Sequence, residues 1–495
     1  MSAAAVVAPP AAARTRAPAF ALLRERGMGA SVLVAAISTA FGVVLLSTTG
    51  FLSAMSTALY GESGMLALVL GMTAGVFMII SMYVGAVVTS NTFATVVAGR
   101  TRQIALMRLI GASARSQRSA VARQGLVVGA LGALVGLVVG LALSAIGSRL
   151  ADSAVVAEAE ASGFTGMPDI GYDVLQPWVL LPAAAVVATT WLAAWAGSRR
   201  VLAVTPLQAL GNAAPRSARE AGGRRRGVGS IVLLVTGFAL LGAGAALGVF
   251  TPLGLLVAFP GGLLSFTGLS IGATLVMPPV LRLVGRLFGG TATARMASEN
   301  ALRYPERSSR MAIGVVIGVT LVTMFAVAAE TAKAVFVANS GGADVEQVTT
   351  VLDMFSLVMM GLVAVAAVIA AVGLVNLLTI GVVQRRTELG LLRAIGLSNP
   401  QVRRMVMLEA AHITISAVVF GLLLGVLYGW AGAQSLLGAL SLNGQEPSGH
   451  LIAPAVPWLT VGVIAAAAAV LTLLASVAPT RLATRVSPVE ALAAD

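Results

Sequence analysis

Long charge-free windows alternate with short basic patches along the 495 residues of this chain. The windows lie between Arg26 and Glu62, Glu62 and Arg100, Arg123 and Arg149, and Asp173 and Arg199. A longer one runs from Gly227 to Leu281. Four more follow, between Arg310 and Glu330, Asp353 and Arg385, Glu409 and Glu446, and His450 and Arg481. A helix needs about 20 apolar residues to cross a bilayer, and a central charge costs roughly 2.5–3.5 kcal/mol on insertion scales. Each window therefore predicts a span. The Gly227–Leu281 window is too long for one and contains a turn-like Thr251-Pro252-Leu253-Gly254, so it divides in two. The pattern predicts an all-α integral membrane protein with ten transmembrane helices. In the sixth, Pro260-Gly261-Gly262 and Pro278-Pro279 predict a kinked or partly re-entrant path.

Composition agrees: 58% of residues are hydrophobic, 10% are charged and the mean hydropathy is +0.95. No soluble domain could hide so much apolar surface. The net charge of +13 matters less than its placement. With the N-terminus cytoplasmic, 30 of the 32 basic residues fall on inner segments, leaving Arg149 and Lys333 outside. The acids divide the other way, eight inside and eleven outside. That asymmetry follows the positive-inside rule and predicts both termini in the cytoplasm. Residues 1–20, with Arg14 and Arg16 and no continuous apolar core, read as a disordered cytoplasmic tail rather than a signal peptide. Outer loops are expected near Ser63, Gly166, Lys333 and Gly444.

The chain also repeats itself. Residues 102–113 read RQIALMRLIGAS and residues 387–398 read TELGLLRAIGLS, each between two predicted spans. Four spans precede the first long inner linker and four follow Arg310. The blocks match in order. Each opens on a short basic and apolar stretch (Ala21–Arg24; Asn300–Arg303) and has Pro-Trp before its fourth span (Pro177-Trp178; Pro457-Trp458). Each closes on a related tail, residues 205–210 and 487–492. Four is even, so the repeats are parallel, related by an axis along the membrane normal rather than inverted. The expected organisation is a tail (1–20), a first repeat (21–212), a basic linker (213–228), a two-helix hairpin (229–290) and a second repeat (291–495).

Each second span exceeds what a bilayer needs. The 37 uncharged residues between Glu62 and Arg100 would make a helix about 55 Å long, against a hydrocarbon core of about 30 Å. The excess predicts a stalk carrying the repeated motif at its tip. There Leu389, Leu392 and Ile395 fall at helical spacing, with Glu388 and Arg393 off that stripe. Gly396 should end the helix, and Ser398-Asn399-Pro400 should start the next. A juxtamembrane basic stretch could simply touch anionic lipid. That role does not require matched Gly111 and Gly396, matched Arg108 and Arg393, and a matched apolar ladder, so a protein-docking helix is the better reading.

At this motif the chain resembles the FtsX-like permease family of ABC transporters, which includes the MacB, lipoprotein-releasing and BceB-type permeases. The residues that carry the resemblance are 385–396, Gln401-Val402-Arg403-Arg404, Leu408-Glu409-Ala410 and the terminal 487–492. The first copy diverges, with Gln103 in place of Glu388 and Gln124-Gly125 in place of Glu409-Ala410. The resemblance implies two coupling helices that dock on two copies of a separate ABC ATPase subunit, with ATP and Mg bound there. The docking residues it implies are Arg102, Gln103, Leu106, Arg108 and Gly111 in the first copy. In the second they are Arg386, Glu388, Leu389, Leu392, Arg393 and Gly396. The large extracellular domain common in that family is not expected, because the gaps near 53–64 and 331–350 are short.

This chain has no Walker A sequence, and its one lysine follows Ala332, so it is not expected to be an enzyme or to hold a cofactor. Cysteine is absent. His412, three residues after Glu409, has a spacing that could serve a metal or proton relay, but with no matching ligand cluster it reads as a packed histidine. Glu158, Glu160, Asp169 and Asp173 read as solvated loop acids rather than a cation site. Small-xxx-small spacings read as packing seams. The expected function is an ATP-driven permease of a bacterial plasma membrane that exports or extracts an amphipathic molecule (a peptide, lipid or hydrophobic antibiotic). Efflux and antimicrobial-peptide resistance fall within that expectation, with lipid as a partner and no nucleic acid. Two alternatives are carried: a mechanotransmitter acting on an outer partner without transport, and an ATP-independent secondary transporter.

Overall fold

The computed structural model describes residues 28–60, 79, 83, 113–161, 172–202, 224–287, 292–303, 305–339, 393, 396–439, 451–467 and 469–470. Among these residues there are helices and turns but no strand. The helices are α1 (Met28–Tyr60), α2 (Ala114–Ala161), α3 (Leu180–Leu202), α4 (Arg224–Leu247) and α5 (Gly254–Ile271). They continue as α6 (Ala273–Gly285), α7 (Ala292–Arg303), α8 (Pro305–Asn339) and α9 (Asn399–Leu437), with the short apolar α10 (Trp458–Ala467) beyond. Among the described residues, seven segments are long and apolar enough to cross a membrane: α1, α2, the Pro177–Trp195 segment leading into α3, α4, α5, α8 and α9. Of the span expected in 62–100 only residues 79 and 83 are described, and the span expected in 353–385 and both termini lie outside the described residues. Only the start of the span expected after His450 is described, as α10.

Burial separates the helices. In α1 and α8, 72% of the apolar window is buried, against 28–33% in α2, α3 and α4. The first helix of each predicted block is therefore central, and the others expose apolar faces of the kind that lipid covers. One core cluster joins Val34, Phe41 and Leu45 of α1 to Met277 and Leu281 of α6, Ile317 of α8 and Ile413 of α9.

The α1–α2 and α8–α9 pairs pack through the same seam. Gly132, Gly136 and Gly140 of α2 meet Ala35, Thr39 and Val43 of α1. Gly421, Gly425 and Gly429 of α9 meet Val319, Thr323 and Val327 of α8. Contacts rise together in number on both helices, so each pair runs parallel. A Cβ on Gly140 would sit 2.8 Å from that of Val43, and one on Gly421 would sit 2.9 Å from that of Val319. Only glycine allows this approach, and the resulting van der Waals packing holds helices together where water cannot. In the second pair the Thr320 hydroxyl also donates across the seam to the Gly421 carbonyl at 3.2 Å. Ala36 stands at the matching position of the first pair.

The hairpin α4–α5 turns through residues 248–253, as the Thr251-Pro252-Leu253-Gly254 signal predicts. It is closed by Gly237 against Ser265, Gly244 against Ala258 and Gly268 against Leu234. Its second helix departs from expectation. Pro260 sits inside an unbroken α5, and the interruption falls at Gly272, before Pro278-Pro279. There the backbone approaches Ser230, where a Cβ would lie 2.8 Å from the serine Oγ. The break thus coincides with a close approach to α4 and not with a proline. On α5, Phe266 lies edge-on to both Tyr83 and Tyr428. The flanking hydroxyls bond outward, Thr267 with Tyr83 at 2.6 Å and Ser265 with Tyr428 at 2.8 Å. The hairpin is thus fastened to residues of both predicted repeats.

Parts of the expected outer segments are helical instead, while Ser63, Gly166 and Gly444 lie outside the described residues. α8 continues to Asn339, so Lys333 lies on it rather than in a loop, and α1 continues to Tyr60. Glu158 and Glu160 lie on the last turns of α2, a helix of 48 residues. These overhangs carry good helix formers without a breaker, so the helix propagates past the apolar window. Asp173 is exposed, and its carboxylate accepts the Leu175 N–H at 2.9 Å.

Candidate docking site at the inner helix ends

Of the expected docking residues, Arg393 and Gly396 are described. Arg102, Gln103, Leu106, Arg108, Gly111, Arg386, Glu388, Leu389 and Leu392 lie outside the described residues. Arg393 is helical and half-buried. Gly396 has φ +110°, where a side chain is strained, and its N–H donates to the Arg393 carbonyl at 3.1 Å. The expectation that Gly396 ends the helix is met in that turn. Ser398 then precedes α9, with Pro400 in the first turn, where the missing N–H costs nothing. The Gln401 side-chain oxygen accepts from the Ser398 N–H at 2.9 Å and from its Oγ at 3.0 Å. In the first copy Ser113 holds the same place, its Oγ accepting the Ser116 N–H at 3.1 Å. Both motif copies thus end on a serine that caps a long helix.

Leu397, between turn and cap, packs on a small cluster of Ala297, Val402, Met405 and Val406. Ala297 comes from α7, an amphipathic helix that hydropathy alone does not mark. α7 buries Ala294, Ala297 and Ala301 and exposes the Arg295–Glu299 ion pair (3.1 Å). One turn further along α9, the Asn300 side-chain amide donates to Glu409 Oε2 at 2.9 Å. His412 is fully buried, its Nε2 2.8 Å from the Leu281 carbonyl of α6. The base of α9 is therefore tied to α6 and α7, while Gln401, Arg403 and Arg404 face outward. His412 is packed, as expected, and among the described residues no group of three or more histidines and acids gathers. On the first copy's side, the Arg118 guanidinium lies over the Trp195 ring at 4.7 Å, tying the base of α2 to α3.

The described residues form a helical bundle with seven segments apolar enough to cross a membrane, in which α2 and α9 begin at basic, serine-capped ends. The sequence model of the FtsX-like permease C-terminal family matches this chain twice, at residues 75–206 and 360–488, together just over half of its length. The chain belongs to that family. Among curated proteins it is 33% identical over 87 residues to the ABC transporter permease YtrF of Bacillus subtilis, 17% of this chain and 20% of that one. It is 30% identical over 130 residues to the lipoprotein-releasing system transmembrane protein LolC of Neisseria meningitidis, 25% of this chain and 31% of that one. It is 26% identical over 80 residues to the uncharacterized ABC transporter permease MJ1507 of Methanocaldococcus jannaschii, 16% of this chain and 20% of that one. The chain thus spans under a third of the length of these relatives. No solved structure matches it.

Proposed function

We propose that this chain is the membrane permease subunit of an ABC transporter, coupling ATP hydrolysis on a separate ATPase to export or membrane extraction of an amphipathic molecule. In this reading the chain has ten spans in a plasma membrane with both termini inside. Two parallel repeats (21–212 and 291–495) flank the linker 213–228 and the hairpin 229–290. Residues 102–111 and 386–396 are the coupling helices, each docking one of two ATPase copies, and the chain itself hydrolyses nothing. The carrying observation is the tip at Gly396–Ser398, inside the second family match: a glycine turn, a packed Leu397 and a capped α9. In this reading that construction is the fixed base of the coupling helix and passes its displacement into a span.

The test is co-expression with a cognate ATPase, purification through a tag on the permease, and reconstitution in vesicles. ATPase should co-purify, and Leu397→Asp should sharply reduce it, because the charge enters the cluster beneath the tip. An ATPase bound equally to wild type and Leu397→Asp would reject this docking site. Directional movement of a fluorescent amphipathic peptide or lipid with ATP supports transport. A second reading, mechanotransmission without transport, has one observation in its favour: α1, α2 and α8 run past their apolar windows at their far ends. Stimulated hydrolysis with no movement of any amphipath would favour it.

A further inference from the structure

The two glycine seams keep one register but finish differently at the helix ends remote from Ser113 and Ser398. Stepping by four from Gly140 and Val43 brings Ser144 of α2 level with Ser47 of α1. The same step from Gly429 and Val327 brings Ala433 of α9 level with Thr331 of α8. Each pair is followed by an extended stretch leading to Pro-Trp: residues 172–176 in the first, 451–456 in the second.

In the second pair that stretch is a strap. The Ile452 N–H donates to the side-chain oxygen of the fully buried Gln434 at 2.7 Å. The Ile452 carbonyl accepts from Trp430 Nε1 at 2.7 Å, and the Ala455 N–H donates to Thr331 Oγ1 at 3.2 Å. Gly248, in the hairpin turn, closes on the backbone of Gln434 and Ser435. α8, α9, the strap and the hairpin are thereby joined, and at this end Trp430, Gln434 and Thr331 each have a partner.

The described residues of the first pair do not build this. Leu141 and Ala145 stand where the register places Trp430 and Gln434. The Leu175 N–H instead bonds the neighbouring Asp173 carboxylate at 2.9 Å. The Tyr172 ring lies across Gly50, edge-on to Phe51. Among the described residues, the hydroxyls of Ser47, Ser144 and Tyr172 are buried without a hydrogen-bond partner. Unpaired buried hydroxyls raise the free energy of the closed arrangement, and water would satisfy them on opening. Burial, with the Asp173 charge beside it, pushes the Tyr172 phenol above its ordinary value.

We propose that the far end of the first helix pair is the one that opens, hydrating Ser47, Ser144 and Tyr172, while the 451–457 strap holds the second pair shut. The geometry stands on its own; its purpose, release or capture of an amphipath at that end, rests on the permease reading. Because the chain lacks cysteine, Ser144→Cys and Ala433→Cys report the two matching positions directly. In the full chain in native membranes, a small impermeant thiol reagent should modify Ser144→Cys about tenfold or more faster than Ala433→Cys, since labelling of buried thiols tracks local opening. Adding Gln434→Leu should raise the Ala433→Cys rate towards that of Ser144→Cys. Amide exchange in the unlabelled protein gives a second readout: residues 172–176 should exchange faster than 451–456. Equal or reversed rates in either assay, or no reaction at either cysteine, would overturn the proposal. The expected asymmetry, unaltered by a bound ATPase with and without trapped nucleotide, would leave the proposal standing and count against the permease reading.

Discussion

Replacing Gly396 by alanine separates backbone from packing at the docking tip. A Cβ at this position meets nothing within 4 Å among the described residues, so no clash with them contributes. The cost comes from φ +110°, which an L side chain rarely adopts, and is about 1–3 kcal/mol. The turn either bears that strain or relaxes and swings the preceding helix away from its docking angle. If the whole penalty falls on docking, ATPase affinity drops by about fivefold to a hundredfold, at 1.4 kcal/mol per tenfold. The assay is a titration of the reconstituted permease with its ATPase, read as half-saturation of stimulated hydrolysis. Gly396→Asn should lie nearer wild type, because asparagine tolerates positive φ better. Thermal stability of the bundle should change little, since the Leu397 cluster and the α9 cap are untouched. Wild-type affinity for Gly396→Ala at equal expression would show that the turn does not orient a motor contact.

Other outcomes follow from the same structure. Gly425→Leu should disrupt the α8–α9 seam and cut the yield of folded protein, whereas Gly432→Leu, with open space around it, should be tolerated; size-exclusion profiles in detergent decide between them. Asn300→Leu removes the amide that donates to the buried Glu409 carboxylate and should cost about 1–3 kcal/mol, visible as a lower thermal midpoint. Glu388→Ala should weaken coupled hydrolysis more than Gln103→Ala, because losing one partner of a buried charge pair costs about 2–5 kcal/mol, and Leu392→Asp should be worse than either. Gly166→Cys should label from outside in intact cells; labelling only after lysis would reject the proposed topology.

Much of the bundle was legible from charge spacing alone. Windows bounded by Arg26 and Glu62, or by Glu409 and Glu446, mark helices because a charge in lipid is costly and its absence over about 20 residues is rare. The same logic overlooks how far helices run past lipid, as with Lys333 on α8 and Glu158 on α2. It also overlooks α7, whose buried face is alanine and whose outer face is charged. The Gly396 turn and the Ser398 cap were readable because local chemistry dictates them. The Leu397 cluster and the Gln434 strap were not, because they depend on Ala297 of the distant α7 and on side-chain-to-backbone bonds to Ile452 that leave no periodic trace. The seams show as glycines every four residues, but only the structure shows that both run in one register.

The unbroken length of α9 makes it a lever. Its 39 residues extend about 58 Å, and Gly425, the middle glycine of the α8 seam, divides it unequally. From Ser398 to Gly425 is about 40 Å, and from Gly425 to Gln434 about 14 Å. A rigid tilt about that fulcrum shrinks a displacement at the docking tip roughly threefold by the time it reaches the strap, and multiplies the force by the same factor. A coarse stroke by a motor at one face of the membrane would arrive at the other as a short, strong pull on a few hydrogen bonds.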